Sequence, residues 1–278
     1  MSAARSVRRS WAGRPRSLPR PGHRPGRLRA VAAPALVLAG LLAVWELATV
    51  ATGVEPAIVP APSDVAGALW TDRALLAADT WVTAQEVVIG LAVAVIVGVS
   101  VAITLHLSAG ARRALFPLVV GSQAIPIVAI APILVLWFGF GLAPKLIVIG
   151  LICFFPLCVA TIDGLRSVDP ALVAMMRSLD ADRLTILRRV EIPAALPHAF
   201  SGAKIAATIA VIGAVFGEWA GADSGLGQLI LQANRQLLTA RMFAAVVILA
   251  LLAVGLFALV GACQRHFVHW SGRETARR

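Results

Sequence analysis

Five polar side chains interrupt otherwise apolar stretches of this 278-residue chain: Gln85 and Glu86, Ser122 and Gln123, and Glu218. An unpaired polar group in an apolar medium costs several kcal/mol, so these five are candidates to line a path for a polar solute. Glu86 and Glu218, near the ends of their stretches, fit interfacial carboxylates bathed by headgroup water equally well. Covalent chemistry has few handles. There is no GxSxG, no HExxH and no pair of mid-helix aspartates, which argues against an intramembrane enzyme. The absence of GxxxxGK[ST] means that the chain cannot cradle ATP in a P-loop of its own. Cys153, Cys158 and Cys263 lie in or beside apolar runs with no His or acidic cluster, and 153 and 158 do not share a helix face. Neither a metal site, a disulfide framework nor a bound cofactor is expected.

The elements that must hold these side chains follow from composition. Hydrophobic residues make up 59% of the chain and charged residues only 14%, whereas soluble domains carry about 25% charged residues. A water-soluble globule is excluded. Apolar runs of about 20 residues match about 30 Å of hydrocarbon at about 1.5 Å per residue. Six are expected, at about 31–52, 81–107, 114–136, 144–162, 199–220 and 242–263, making an all-α, multi-pass membrane protein. Residues 1–30 hold nine arginines, four prolines and no acid, and are expected to be a disordered cytoplasmic tail. A cleaved signal peptide is the rival reading, but the run from Val31 to Val50 is longer than a usual signal core. Residues 264–278 form a second basic tail, and 31–263 the membrane domain.

The formal charge of +11 would suggest nucleic acid in a soluble protein, but here the position of the charges decides. With the N-terminus inside, inner segments carry twenty Lys and Arg and outer ones four: Arg73, Lys145, Arg235 and Arg241. That asymmetry selects N-in, C-in and an even number of spans, with no nucleic-acid role. Lys204, near the inner end of the fifth segment, is expected to snorkel, and Glu46 to sit near the outer surface. Trp81, Trp137, Trp219 and Trp270 fall near segment ends, as aromatic belts do. Ser63 and Asp64 open a short amphipathic stretch on the outer surface that ends near Leu76. Pro117, Pro126 and Pro132 interrupt the third segment, which suits a helix lining a path where neighbours can satisfy the freed backbone.

The longest inner connection, 163–198, reads DGLRSVDPALVAMMRSLDADRLTILRRVEIPAALPH. Asp169 before Pro170 is a helix start, and a helix to about Leu179 would align Leu172, Met175, Met176 and Leu179 as an apolar stripe. A second helix starts at Asp182 and runs through Val190, and Pro193 and Pro197 are expected to end it before the fifth span. The outcome is a helix–turn–helix elbow in the cytoplasm, polar outside and apolar beneath.

The stretch RSLDADRLTILRRVEIPAALP resembles the EAA loop of permease subunits of bacterial ABC importers. The resemblance extends from about Gly121 to Trp270 through PIVAIAPILVLWFGFG, GAVFGEW and SGLGQLI. The family's triplet falls on Ala174, Met175 and Met176, its glycine on Asp180, and its terminal pattern on Val190, Ile192 and Pro193. Neither the triplet nor the glycine is present; aspartate is among the few residues that tolerate the left-handed turn a glycine would make. The resemblance implies a type I ABC importer permease fold in the bacterial inner membrane and a non-catalytic subunit. It implies partners: a cytoplasmic ATPase, an extracytoplasmic solute-binding protein and a second permease copy. It assigns ATPase coupling to Arg177, Ser178, Leu179, Asp180, Ala181, Arg183 and Pro193. FSGAKIAA with GAVFGEW looks most like permeases for thiamine pyrimidine precursors, with aliphatic sulfonates, taurine or nitrate as alternatives. A secondary ion-coupled transporter is the rival class, but no inverted repeat or midplane acid supports it.

Overall fold

The computed structural model describes residues 27–269, and all regular structure among them is helical. Helices run α1 Arg27–Thr52, α2 Pro62–Thr71, α3 Arg73–Leu107, α4 Ala109–Gly121, α5 Ile127–Phe138, α6 Leu142–Arg166, α7 Pro170–Ser178, α8 Arg183–Ile186, α9 Ile192–Gly221, α10 Leu226–Arg235 and α11 Thr239–Phe267. Five helical stretches are long and apolar enough to span a bilayer: those holding α1, α3, α6, α9 and α11. The sixth crossing is broken. The α4 arm, extended by a 3₁₀ turn over Ser122–Ala124, and α5 meet at 102°. Pro126 has no N–H to donate and disfavours helix at the residue before it; Ile125 is extended, with φ −84 and ψ 120. Arg112 and Arg113 of α4 share a cleft with Arg166 at the inner end of α6, while α5 ends just before Leu142, where α6 begins at the outer end. The pair therefore covers the same height as α6, and the bundle has six crossings.

Several boundaries differ from those expected. The second crossing begins at Arg73 rather than 81, because the helix continues out past the apolar run and is turned only at Asp72. Asp72 takes a two-pronged ion pair from Arg241 of α11, at 2.7 and 2.9 Å, which fixes that corner. Arg27–Ala30 belong to α1 and residues 264–267 to α11, not to tails. The remaining tail expectations, for 1–26 and 270–278, and the belt position of Trp270 lie outside the described residues. The stretch opened by Ser63 becomes α2, ending at Thr71 rather than near Leu76. Glu46 sits at the outer end of α1 as expected, and its carboxylate accepts from the Ser63 amide at 3.0 Å and the Ser63 hydroxyl at 2.8 Å. Otherwise α1 is peripheral, and Trp45 against Phe243 at 5.8 Å is its main link to α11.

The core is α6 packed between α3 and α9. No hydrophobic effect drives helices together in lipid, so close approach must come from small residues. On α9, Gly202, Ala206, Ala210, Gly213, Ala214 and Gly217 are all buried against α6 or its neighbours. A Cβ on Gly202 would lie 2.7 Å from the Ala160 Cβ and 2.8 Å from the Pro156 carbonyl oxygen. Gly202→Val is therefore expected to wedge α6 from α9, costing about 1–3 kcal/mol as overpacking. A lowered unfolding temperature of the detergent-solubilised protein checks this; an unchanged one contradicts the close crossing.

Candidate functional site

Asp169 starts α7 by accepting from the Ala171 amide at 2.8 Å, with Pro170 at the first helical position. The helix ends in a Schellman turn: the Asp180 amide donates to Arg177 O at 3.0 Å and the Ala181 amide to Met176 O at 3.1 Å. Asp180 sits at φ 56, the left-handed conformation that the family's glycine would adopt. Asp180→Gly is accordingly expected to assemble normally and to gain up to about 1 kcal/mol, because glycine removes the Cβ strain. Loss of assembly in that variant would give the carboxylate a specific partner.

The Asp182 side chain then caps α8 by accepting from the Thr185 amide at 3.1 Å. Hydrogen bonds from the Thr185 hydroxyl and amide hold its carboxyl below the usual carboxylate range. That stabilisation is present above the unfolded-state value and is lost as pH falls through the folded one, so the cap is intact at neutral pH.

Two expectations for the elbow are corrected. Pro193 and Pro197 do not end a helix: α8 runs through a π turn, Leu187–Glu191, straight into α9. The Ile192 amide reaches back five residues to Leu187 O, so the wider turn delivers Pro193 into the first turn of α9, where proline is tolerated. Nor is the apolar stripe of α7 covered. No α7 residue is buried, and Leu172, Met175 and Leu179 are 40%, 52% and 71% exposed. The coupling candidates Arg177, Ser178, Leu179, Asp180 and Arg183 all lie on this projecting surface, with Ala181 half-buried behind them.

What anchors the elbow was not singled out from sequence. Glu191 is buried; His106 Nε2 lies 2.9 Å from its Oε2, and Arg183 Nη1 donates to its Oε1 at 3.1 Å. One carboxylate thus ties the elbow arm to the inner end of α3. Its signal was an acid beside two arginines in RRVEIP, together with His106 at the end of an apolar run.

The five polar span residues separate into three places. Ser122 and Gln123, at the break of the third crossing, line a cleft of about 340 Å³ with Ile127, Phe155, Ile205 and Ile209. Gln85 is exposed on α3. Glu86 and Glu218 do not face headgroup water, with exposures of 3% and 0%. Lys145 Nζ donates to Glu86 Oε1 at 2.5 Å. Glu218 accepts from the Thr83 hydroxyl at 2.7 Å and from the amides of Gly227 and Gln228 at 2.5 and 3.2 Å. Thr83 in turn accepts from the Leu226 amide at 2.9 Å, and Asp79 from the Gly225 amide at 3.0 Å. Three α3 and α9 side chains therefore satisfy the orphan amides at the start of α10. Asp79 and Thr83 escaped the sequence reading, and Lys145 was read only as an outer charge, because their partners lie up to 146 positions away.

Six helical crossings, a broken third crossing beside a central cleft and an exposed inner elbow on a buried anchor define a permease subunit of a membrane transporter. The chain belongs to the family of binding-protein-dependent transport system inner membrane components, matched over residues 94–270. It is thus an inner-membrane ABC importer permease. It is 38% identical to a probable ABC transporter permease protein of Haemophilus influenzae, over 86% of this chain and 97% of that one. It is 32% identical to the formylaminopyrimidine transport permease of Halalkalibacterium halodurans, over 87% and 96%. The inward-facing MetNI methionine ABC transporter shares the fold at a TM-score of 0.55 and 20% identity, covering 68% of this chain and 95% of that one.

Proposed function

We propose that this chain forms half of a translocation path for a thiamine pyrimidine precursor. Two copies pair, a solute-binding protein delivers cargo outside, and a separate ATPase drives the cycle inside. The ATPase grips Arg177, Ser178, Leu179, Asp180, Ala181 and Arg183, while Pro193 sets the angle at which the elbow joins α9. The observation that carries this reading is the bare apolar stripe of α7 on an arm braced by Glu191: an uncovered face joined rigidly to the bundle transmits a push. Force needs only contacts that differ between inward-open and outward-open states.

The cleft supports the cargo. Its lining of isoleucines, Phe155, Ser122 and Gln123 contains no Lys or Arg. A sulfonate or nitrate ion buried there would lack a cationic partner, whereas a flat heteroaromatic ring finds apolar walls and one amide to pair with its edge. The relative that carries formylaminopyrimidine points the same way.

The test is uptake into proteoliposomes holding the permease, its ATPase and the solute-binding protein, offered aminopyrimidine, taurine, an alkanesulfonate or nitrate. ATP-dependent uptake of the pyrimidine alone is expected. Preference for taurine or sulfonate overturns the cargo, and uptake by the permease alone down an ion gradient overturns the coupling. Gln123→Leu is expected to reduce pyrimidine uptake about tenfold with assembly intact, as loss of one hydrogen bond to the cargo would.

A further inference from the structure

At the inner end of the bundle, Arg112 and Arg113 of α4, Arg166 of α6, Phe116 and Pro117 line a cleft of about 350 Å³. None of the three guanidinium groups takes part in an ion pair or hydrogen bond among the described residues. The acids three positions either side of Arg166, Asp163 and Asp169, are exposed and make no ion pair with the cluster. Arg112 and Arg113 also follow the N-terminus of α4, where Ser108 accepts from the Ala111 amide and no acid lies in the first turn. A helix N-terminus is itself partly positive, so two cations there are held against the local field. The cluster is short of an anion.

Phe116 in the cleft wall and Val120 one turn further on are 37% and 48% exposed on the same face of α4, which leads from the inner surface toward the break at mid-bundle. A basic mouth continuous with an apolar strip matches a molecule with an anionic head and a hydrocarbon tail. A free anion would use only the mouth. Arginine forks suit the paired oxygens of a phosphodiester.

We propose that Arg112, Arg113 and Arg166 bind the phosphodiester headgroup of an anionic lipid of the inner leaflet, its acyl chain lying along Phe116 and Val120. The lipid would fix the inner arm of the broken crossing relative to α6, the helix that leads into the elbow. This site stands independently of the cargo and of the ATPase assignment.

The permease–ATPase complex, delipidated in mild detergent, is titrated with phosphatidylglycerol and, separately, with phosphatidylcholine, and retained lipid is counted by native mass spectrometry. Phosphatidylglycerol is expected to be retained and phosphatidylcholine lost. Arg112→Gln/Arg113→Gln/Arg166→Gln should weaken retention at least about tenfold, since it removes all three cations facing the anionic headgroup. Replacing the same three by Lys should keep much of it, and Arg188→Gln/Arg189→Gln, on the same inner surface, should change nothing. Inorganic phosphate at millimolar concentration should not displace the lipid. Equal retention by the Gln variant overturns the site. Displacement by phosphate reassigns it to a free anion, and release of the ATPase by the Gln variant with lipid retention unchanged reassigns it to a protein contact; either result refutes the lipid.

Discussion

Glu191→Ala is expected to leave the permease assembled in the membrane while cutting substrate-stimulated ATP hydrolysis by tenfold or more. Glu191 is 3% exposed and joins His106 of α3 to Arg183 of the elbow through its two carboxylate oxygens. Removing the central member of a buried ionic group costs about 3–5 kcal/mol when the remaining charges are trapped. Here they are not trapped. The Arg183 side chain is 43% exposed and swings into water, and the His106 side chain, 11% exposed, keeps an opening toward solvent. Folding therefore survives, but the arm loses its tie to α3, and a push delivered at α7 is spent in bending the π turn. A tenfold fall corresponds to about 1.4 kcal/mol of lost coupling. Glu191→Gln keeps an acceptor for Arg183 and should fall between the two. The readout is the ratio of stimulated to basal ATPase in the full complex; a wild-type ratio in the Ala variant would show that the elbow acts without its anchor.

Sequence made the bundle legible because hydrocarbon is a strict solvent. It demands about 20 apolar residues per crossing, leaves the inner loops their arginines, and lets Pro126 mark where a helix must break. The elbow was legible to the residue in its turns, where Asp169 and Asp182 accept from amides two and three positions away and Asp180 takes the left-handed turn. Its continuity was not. Pro193 and Pro197 argue locally for a helix end, and only the register change of the π turn shows that α8 flows into α9. Burial was misread for the same reason. Nothing in the spacing of Leu172, Met175 and Leu179 says whether the stripe turns toward this chain or toward another one. Glu86 and Glu218 read equally well as path-lining or headgroup-facing carboxylates, because Lys145, Thr83 and the amides of α10 reach them only through packing of α3, α6 and α9.

Glu218→Ala is expected to be the most damaging single change on the outer side. At 0% exposure its carboxylate accepts from Thr83, Gly227 and Gln228, closing the start of α10 onto α3 and α9. Alanine leaves two amides and a hydroxyl without partners and a cavity among them, a loss of about 3–5 kcal/mol. For a chain of this size that lowers the unfolding temperature by on the order of 10 °C. Gln keeps one acceptor and should cost less, because Thr83 can rotate its hydroxyl to receive the new amide. Gly225 provides an independent check. Its φ is +119, and a Cβ there would lie 2.5 Å from both carboxylate oxygens of Glu218, so Gly225→Ala carries two penalties, backbone strain and collision. Combining it with Glu218→Ala removes the collision and retains the strain. The double variant should therefore be less destabilised than the sum of the singles, by about 1 kcal/mol or more. Strict additivity in thermal unfolding of the detergent-solubilised chain would mean that the two residues do not meet, and that α10 is held to the bundle by some other contact.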